Sequence, residues 1–259
     1  MARLSKRPWA RWATLIALAI VVAAVARLPA RQAAALITSP GLQLDGLSGT
    51  VWAGQAAAVR YGELLLGQAR WELDALPLLW LTSRATVQLE GPELSAHGQA
   101  IQRPGGEIRL RDATARLPAE WLQRILNEPF LGLGGRINLQ LDHVVLDEQG
   151  WLRELTGTGR WQQARVTGRL QAELGELTGR FETDSEGIIR GRLEDRGGPL
   201  QLQGHITVHE ETYRVDLELG ARGDAIALRQ ALQVLGNPGR DGRVRITISG
   251  PMLALGHAR

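Results

Sequence analysis

Cysteine is absent from the 259 residues, which excludes disulfides, thiolate metal sites, cysteine nucleophiles and an acylated N-terminal cysteine. Lysine is nearly absent, since Lys6 is the one base among 30 that is not arginine. Phe and Tyr number two each, so aromatic burial falls to the eight Trp. The body of the chain also lacks a charge of one sign. Residues 1–27 carry Arg3, Lys6, Arg7, Arg11 and Arg27 without an acid, and the remaining 25 bases face 27 acids, a net of −2. The basic isoelectric point therefore belongs to the N-terminus and gives no ground for a nucleic-acid partner.

Long apolar runs are missing, with one exception. Trp12 to Ala26 is fifteen residues with only Thr14 polar. As a helix it measures about 22 Å, short of the roughly 30 Å hydrocarbon core, but Trp9 and Leu28 extend it and flanking arginines can snorkel. Two readings fit. Trp9 and Trp12 suit the interfacial flank of an uncleaved anchor, whereas Ala24-Val25-Ala26 has the form of a signal-peptide cleavage site. Both keep the basic tip in the cytoplasm and send the body across the membrane.

What the chain does contain is glycine, 31 residues of it, and a period of two. Ala69, Trp71 and Leu73 alternate with Arg70, Glu72 and Asp74. Ile137, Leu139 and Leu141 do so with Asn138, Gln140 and Asp142, and Tyr213, Val215, Leu217 and Leu219 with Arg214, Asp216 and Glu218. Leu202, Ile206 and Val208 follow the same rule. Such alternation predicts antiparallel strands with one apolar and one wet face. His209-Glu210-Glu211-Thr212 reads as the turn of a hairpin. Two stretches read as short helices: Pro118 to Leu126, and Ala225 to Leu235 with Asp224 as its cap and Gly236-Asn237-Pro238 as its stop. The fold class is thus mainly β: an N-terminal transmembrane helix, then an antiparallel β-rich domain with two short helices.

Leu47-Ser48-Gly49-Thr50 recurs as Leu155-Thr156-Gly157-Thr158, and each is soon followed by Trp (Trp52, Trp161). The two predicted helices each lead into a Gly-Arg-aliphatic strand start, Gly135-Arg136-Ile137 and Gly242-Arg243-Val244, at nearly the same offset. These similarities suggest two related halves. The expected organisation is a cytoplasmic tip at 1–11, a span at 12–28, a first half at 40–146 and a second at 147–259.

Catalytic chemistry is hard to assemble. His205 and His209 have a metal spacing on a helix, but on a strand their Cα atoms lie about 13 Å apart, too far for one ion. Phe130-Leu131-Gly132-Leu133-Gly134-Gly135 lacks the lysine of a phosphate loop and reads as a turn before the next strand. Ser48 lacks nucleophile-elbow spacing, and Glu194-Asp195 and Glu210-Glu211 read as solvated turn residues. No catalytic, metal or cofactor-binding residues are expected.

At this point the residues resemble a known family. Leu47-Ser48-Gly49-Thr50-Val51-Trp52-Ala53-Gly54-Gln55-Ala56, then Gly67-Gln68-Ala69-Arg70-Trp71-Glu72-Leu73, is similar to the protein N family of the bacterial type II secretion system. Leu133 to Leu139 and Leu155-Thr156-Gly157 with Trp161 fit the same likeness. The resemblance implies a single-pass inner-membrane protein with a periplasmic β-rich domain, an accessory part of the machine that exports folded proteins across the outer membrane. It implies other secretion subunits as partners (the inner-membrane platform and the secretin), with no enzyme activity and no cofactor. It leaves open whether Leu47, Gly49, Thr50, Trp52, Gly54 and Trp71 serve packing or contact. The same family is similar in organisation to AsmA-like envelope proteins, which supplies the alternative of lipid held in an apolar β-groove.

Overall fold

The computed structural model describes residues 29–30, 42–62, 64–74, 82–121, 131–168 and 171–251. Fourteen strands form one sheet. They are β1 (Leu42–Asp45), β2 (Ser48–Gly49), β3 (Ala53–Tyr61), β4 (Leu64–Asp74), β5 (Ser83–Glu90), β6 (Ser95–Gln102) and β7 (Ile108–Pro118). Then come β8 (Leu131–Leu146), β9 (Leu152–Gly168), β10 (Ala172–Thr183), β11 (Ile189–Asp195), β12 (Leu200–His209), β13 (Thr212–Ala221) and β14 (Val244–Pro251). From β3 onwards each strand pairs antiparallel with its successor, while β1 and β2 both pair with β3. The sheet is a meander whose path ends at β1 and β14, with no pairing between them among the described residues.

The period of two decides the faces, because residues opposite each other on antiparallel strands point to the same side. One cross-strand row runs Gly54, Trp71, Val87, Gly98 over β3 to β6. It resumes as Leu141, Gly157, Phe181, Gly191, Ile206, Val215, Ile248 over β8 to β14. The neighbouring row is Arg70, Gln88, His97, Thr114, Gln140, Thr158, Arg180, Arg192, His205, Asp216, Thr247. One face is therefore apolar from edge to edge and the other is polar.

Cover over the apolar face is uneven. A helix, α1 (Ile226–Leu235), buries Leu228, Ala231 and Leu232. Leu228 and Leu232 cluster with Leu200, Leu202, Leu219 and Val244 at the C-terminal end. Ala56, Val59 and Ala69 form a second cluster near the first hairpins, and Ala119, Leu133 and Ile137 a third. Between them the face stays partly open, with Val87 39% and Ile248 47% exposed.

Three expectations change. Asp224 does not cap α1: the N-cap is Ala225 with no side-chain cap bond, and Asp224 contributes its main-chain carbonyl to the N–H of Ile226. The glycine-rich run is strand rather than turn, since β8 begins at Leu131 and Gly132 to Gly134 pair with Arg165 to Thr167. Its turn-like composition serves a bulge: Gly135 has φ +108°, and a Cβ there would lie 2.5 Å from the carbonyl oxygens of Gln162 and Gln163. Asp195 is no solvated turn residue. Its side chain is only 12% exposed and binds the N–H groups of Gly197 and Leu202 and the Arg222 guanidinium.

Helix α1 matches the second predicted helix. For the first, Pro118 closes β7 and Glu120 and Trp121 are helical, while 122–130 lie outside the described residues. The predicted span at 12–28 lies outside them too. Among the described residues no helix is long and apolar enough to cross a membrane. His209 and Thr212 flank a two-residue turn as expected, with Glu210 at φ +54°.

Two hairpin turns share a construction. Asp147 accepts from the N–H groups of Gln149 and Trp151 and from Arg153. Asp184 accepts likewise from Glu186, Ile188 and Arg190. The shared spacing is Asp-x-x-Gly-x-x-Arg, with Gly150 and Gly187 in the left-handed region. The Asp147 turn joins β8 to β9, where the sequence places the boundary between halves.

Candidate functional site

The motif residues gather at one corner. Ser48 and Gly49 pair with Gln55 and Gly54, so β2 folds back onto β3 through a tight turn at Thr50 to Trp52. Gly49 takes φ +84°, where a Cβ would meet Ala53 O at 2.5 Å. The Thr50 N–H donates to Ala53 O at 2.9 Å, and the Thr50 hydroxyl oxygen accepts from the Ala53 N–H at 3.1 Å. Thr50 therefore closes the turn twice, once through its main chain and once through its side chain.

Trp71, on β4, seals the corner. Its Nε1–H donates to Val51 O at 3.1 Å. The ring lies over Gly54, where a Cβ would stand 2.3 Å from Cζ2. Trp52 is half-buried, and its carbonyl accepts from the Leu73 N–H at 2.6 Å. Leu47 and Trp71 both pack against the buried Ala56, Val59 and Ala69. A shallow cavity of ≈ 300 Å³ opens beside the turn, lined by Ser48, Gly49, Gln55, Arg70, Trp71 and Glu72 among others. Thr50 also forms an isolated bridge with Pro29, and the adjacent Ala30 is 2% exposed. The corner is thus where the chain following the N-terminal segment meets the sheet.

A second tryptophan repeats the device. The Trp161 Nε1–H donates to Gly134 O at 3.0 Å, and its ring packs on the Ala119, Leu133 and Ile137 cluster. The two copies of the Leu-Ser/Thr-Gly-Thr tetrapeptide sit differently, one at β2 and its turn and the other within the first half of β9.

His205 and His209 are exposed, and His205 faces Asp216 and Arg192 across its row. His143 Nε2 lies 3.0 Å from Glu154 Oε2, an exposed pair whose roles follow the tautomer. Among the described residues no three His, Asp or Glu are grouped to hold a metal. The shifted acids are structural. Burial pushes the Asp195 carboxyl up, but the N–H groups of Leu202 and Gly197 and the Arg222 charge outweigh it and hold it below the ordinary value. Asp184 is lowered chiefly by the Ile188 N–H. The Asp-x-x-Gly-x-x-Arg spacing would have revealed the turn acids Asp147 and Asp184 in advance.

With the geometry in place, the chain can be set beside known proteins. Residues 40–247 match the family described as "Type II secretion system (T2SS), protein N". Type II secretion system protein N of Aeromonas hydrophila is 33% identical over 126 residues, 48% of this chain and 49% of that protein. The same-named protein of Vibrio cholerae is 38% identical over 89 residues, 34% of this chain and 35% of that protein. This chain therefore spans at most about half the length of these curated relatives. No solved structure matches. The match from residue 40 to 247 takes in the motif corner and nearly all of the sheet, and the chain belongs to the type II secretion system protein N family.

Proposed function

We propose that this chain is an accessory, non-catalytic component of the type II secretion system. In this reading residues 12–28 anchor it in the bacterial inner membrane, residues 1–11 stay cytoplasmic, and the sheet stands in the periplasm as two related halves, 40–146 and 147–259. It supports export of folded proteins by contacts with the inner-membrane platform and the secretin. The family match across residues 40–247 carries the proposal. Three features support it. The motif corner ties residue 29 to the first hairpin, so force or position at an anchor would pass directly into the sheet. Its residues are engaged with one another rather than arranged around a reactive group. Among the described residues both ends of the sheet, β1 and β14, are edges able to accept another strand.

Photo-crosslinking amino acids at Gln43 in β1 and Thr247 in β14 test this in secreting cells. Crosslinks to other type II subunits are expected. Stoichiometric phospholipid on the gently purified protein, together with normal secretion from a deletion strain, would overturn the reading in favour of lipid handling.

A further inference from the structure

The polar face holds a feature that the family motif does not touch. Across β5 to β9 it is hollowed into a trough of ≈ 860 Å³. Two cross-strand rows build its floor: Gln88, His97, Thr114, Gln140, Thr158 and, beside it, Glu90, Ser95, Arg116, Asn138, Arg160. The bulge at Gly135 shifts the register so that Arg136 stands opposite Gln162 at one end. Three arginines line the trough against one glutamate, although the body of the chain is slightly acidic.

Some arginines elsewhere on this sheet are matched to acids, as Arg153 is to Asp147, Arg190 to Asp184 and Arg245 to Glu218, whereas Arg180 and Arg192 on the same face have no ion pair among the described residues. Arg116 and Arg136 have no ion pair among the described residues, and Arg160 reaches only Glu176, at 3.6 Å. Between them the Asn138 Nδ2 donates to Gln162 Oε1 at 3.1 Å. That bond leaves the oxygen of Asn138 and the nitrogen of Gln162 for a further partner. The trough lining includes no Trp, Tyr or Phe on which a sugar ring would stack. Five strands at about 4.8 Å spacing make it about 19 Å wide, the span of roughly six extended residues.

We propose that this trough docks an extended acidic segment of a partner protein, its carboxylates on Arg116, Arg136 and Arg160 and its main chain on the amides between them. The proposal rests on the trough's own chemistry and stands whichever assembly the chain joins.

The test uses the full chain purified in detergent and a fluorescein-labelled peptide of alternating Glu and Ser, followed by anisotropy. Binding is expected, and it should weaken at least about tenfold when salt rises from about 50 to 300 mM. The R116E/R136E pair should weaken it at least about tenfold more. R180E/R192E, on the same face outside the trough, should leave it within about twofold. If R116E/R136E melts below the parent, R116Q/R136Q removes the charges without adding repulsion and carries the test. Three results would each overturn the proposal: no binding by the parent, equal loss in R180E/R192E, or equal binding of the Lys-Ser counterpart. Binding of heparin without the peptide would reassign the trough to anionic polysaccharide and overturn it as well.

Discussion

Gly54→Ala tests whether the motif corner is held by packing. The new Cβ would lie 2.3 Å from Trp71 Cζ2 and 2.7 Å from the Thr50 carbonyl oxygen. Neither neighbour withdraws easily. Thr50 is fixed by its 2.9 Å bond to Ala53 O, and the indole by its 3.1 Å bond to Val51 O. Overpacking costs about 1–3 kcal/mol, and two tethered neighbours place this site near about 2. Expelling the ring from Val51 adds about 1 kcal/mol. A loss of about 3 kcal/mol lowers Tm by about 6–12 °C in a domain of this size class. Thermal unfolding of the parent, Gly54→Ala, Trp71→Leu and the double variant reads the effect. Without the ring only the Thr50 contact remains, so Gly54→Ala should be milder by at least about 1 kcal/mol in the Trp71→Leu background. If Gly54→Ala melts with the parent, or the two losses simply add, the ring is not seated on Gly54 and the argument fails. Secretion assayed in the same strains separates packing from contact. Trp71→Leu melting like the parent yet blocking export would make Trp71 a contact residue.

Trp52→Ala should cost about 2–3 kcal/mol, less than a fully buried tryptophan, because Trp52 is half-buried; a melting point equal to the parent's contradicts this. Asp184 is held below its ordinary value of 3.8, so its stabilisation is present above that value and lost as pH falls through the lowered one. Unfolding midpoints of Asp184→Ala should lie below the parent's near neutral pH and converge with them in acid, and a constant gap would refute the linkage. Replacing His205 and His209 together by Ala should leave melting and secretion unchanged, since both are exposed. Mass spectrometry of membrane-extracted protein should find the N-terminus intact; a mature terminus at Arg27 would make residues 1–26 a cleaved signal.

Much of the sheet was legible because alternation is a geometric statement. Arg70 and Trp71, or Asp216 and Val215, must face opposite ways on a strand, and the structure sets them in the polar and apolar rows. Hairpin order followed where turns are short, as at His209 and Thr212. Bulges were not legible. Asp112 and Gln163 adopt φ of 48° and 50° without being glycine; Asp tolerates that region better than most residues, but nothing in residue type marks Gln163. Each shifts which later residues reach a given face. The glycine run before Ile137 misled for a related reason: the same composition serves turns and bulges, and the choice is made by β9, which lies across from it. Leu47, Gly49, Thr50, Trp52, Gly54 and Trp71 stood out as a motif, but their meeting at one corner depends on the β3–β4 register, which no local pattern encodes.

The glycine excess has a steric logic that alternation alone could not show. On the apolar face large side chains stand beside glycines of neighbouring strands: Trp71 over Gly54, Phe181 against Gly191, Leu217 against Gly204. A Cβ on those glycines would come within 2.3, 2.8 and 2.6 Å of these side chains. Each large residue thus fills the space of a missing neighbour, and the face covers itself in part without a second layer. That explains how the described sheet, with α1 as its one full helix among the described residues, buries Ala56, Ile189 and Val244 to 1%, 2% and 1% exposure while leaving Val87 and Ile248 open. Replacing such a glycine by alanine adds apolar surface yet should lower stability, because the space it would fill is already taken.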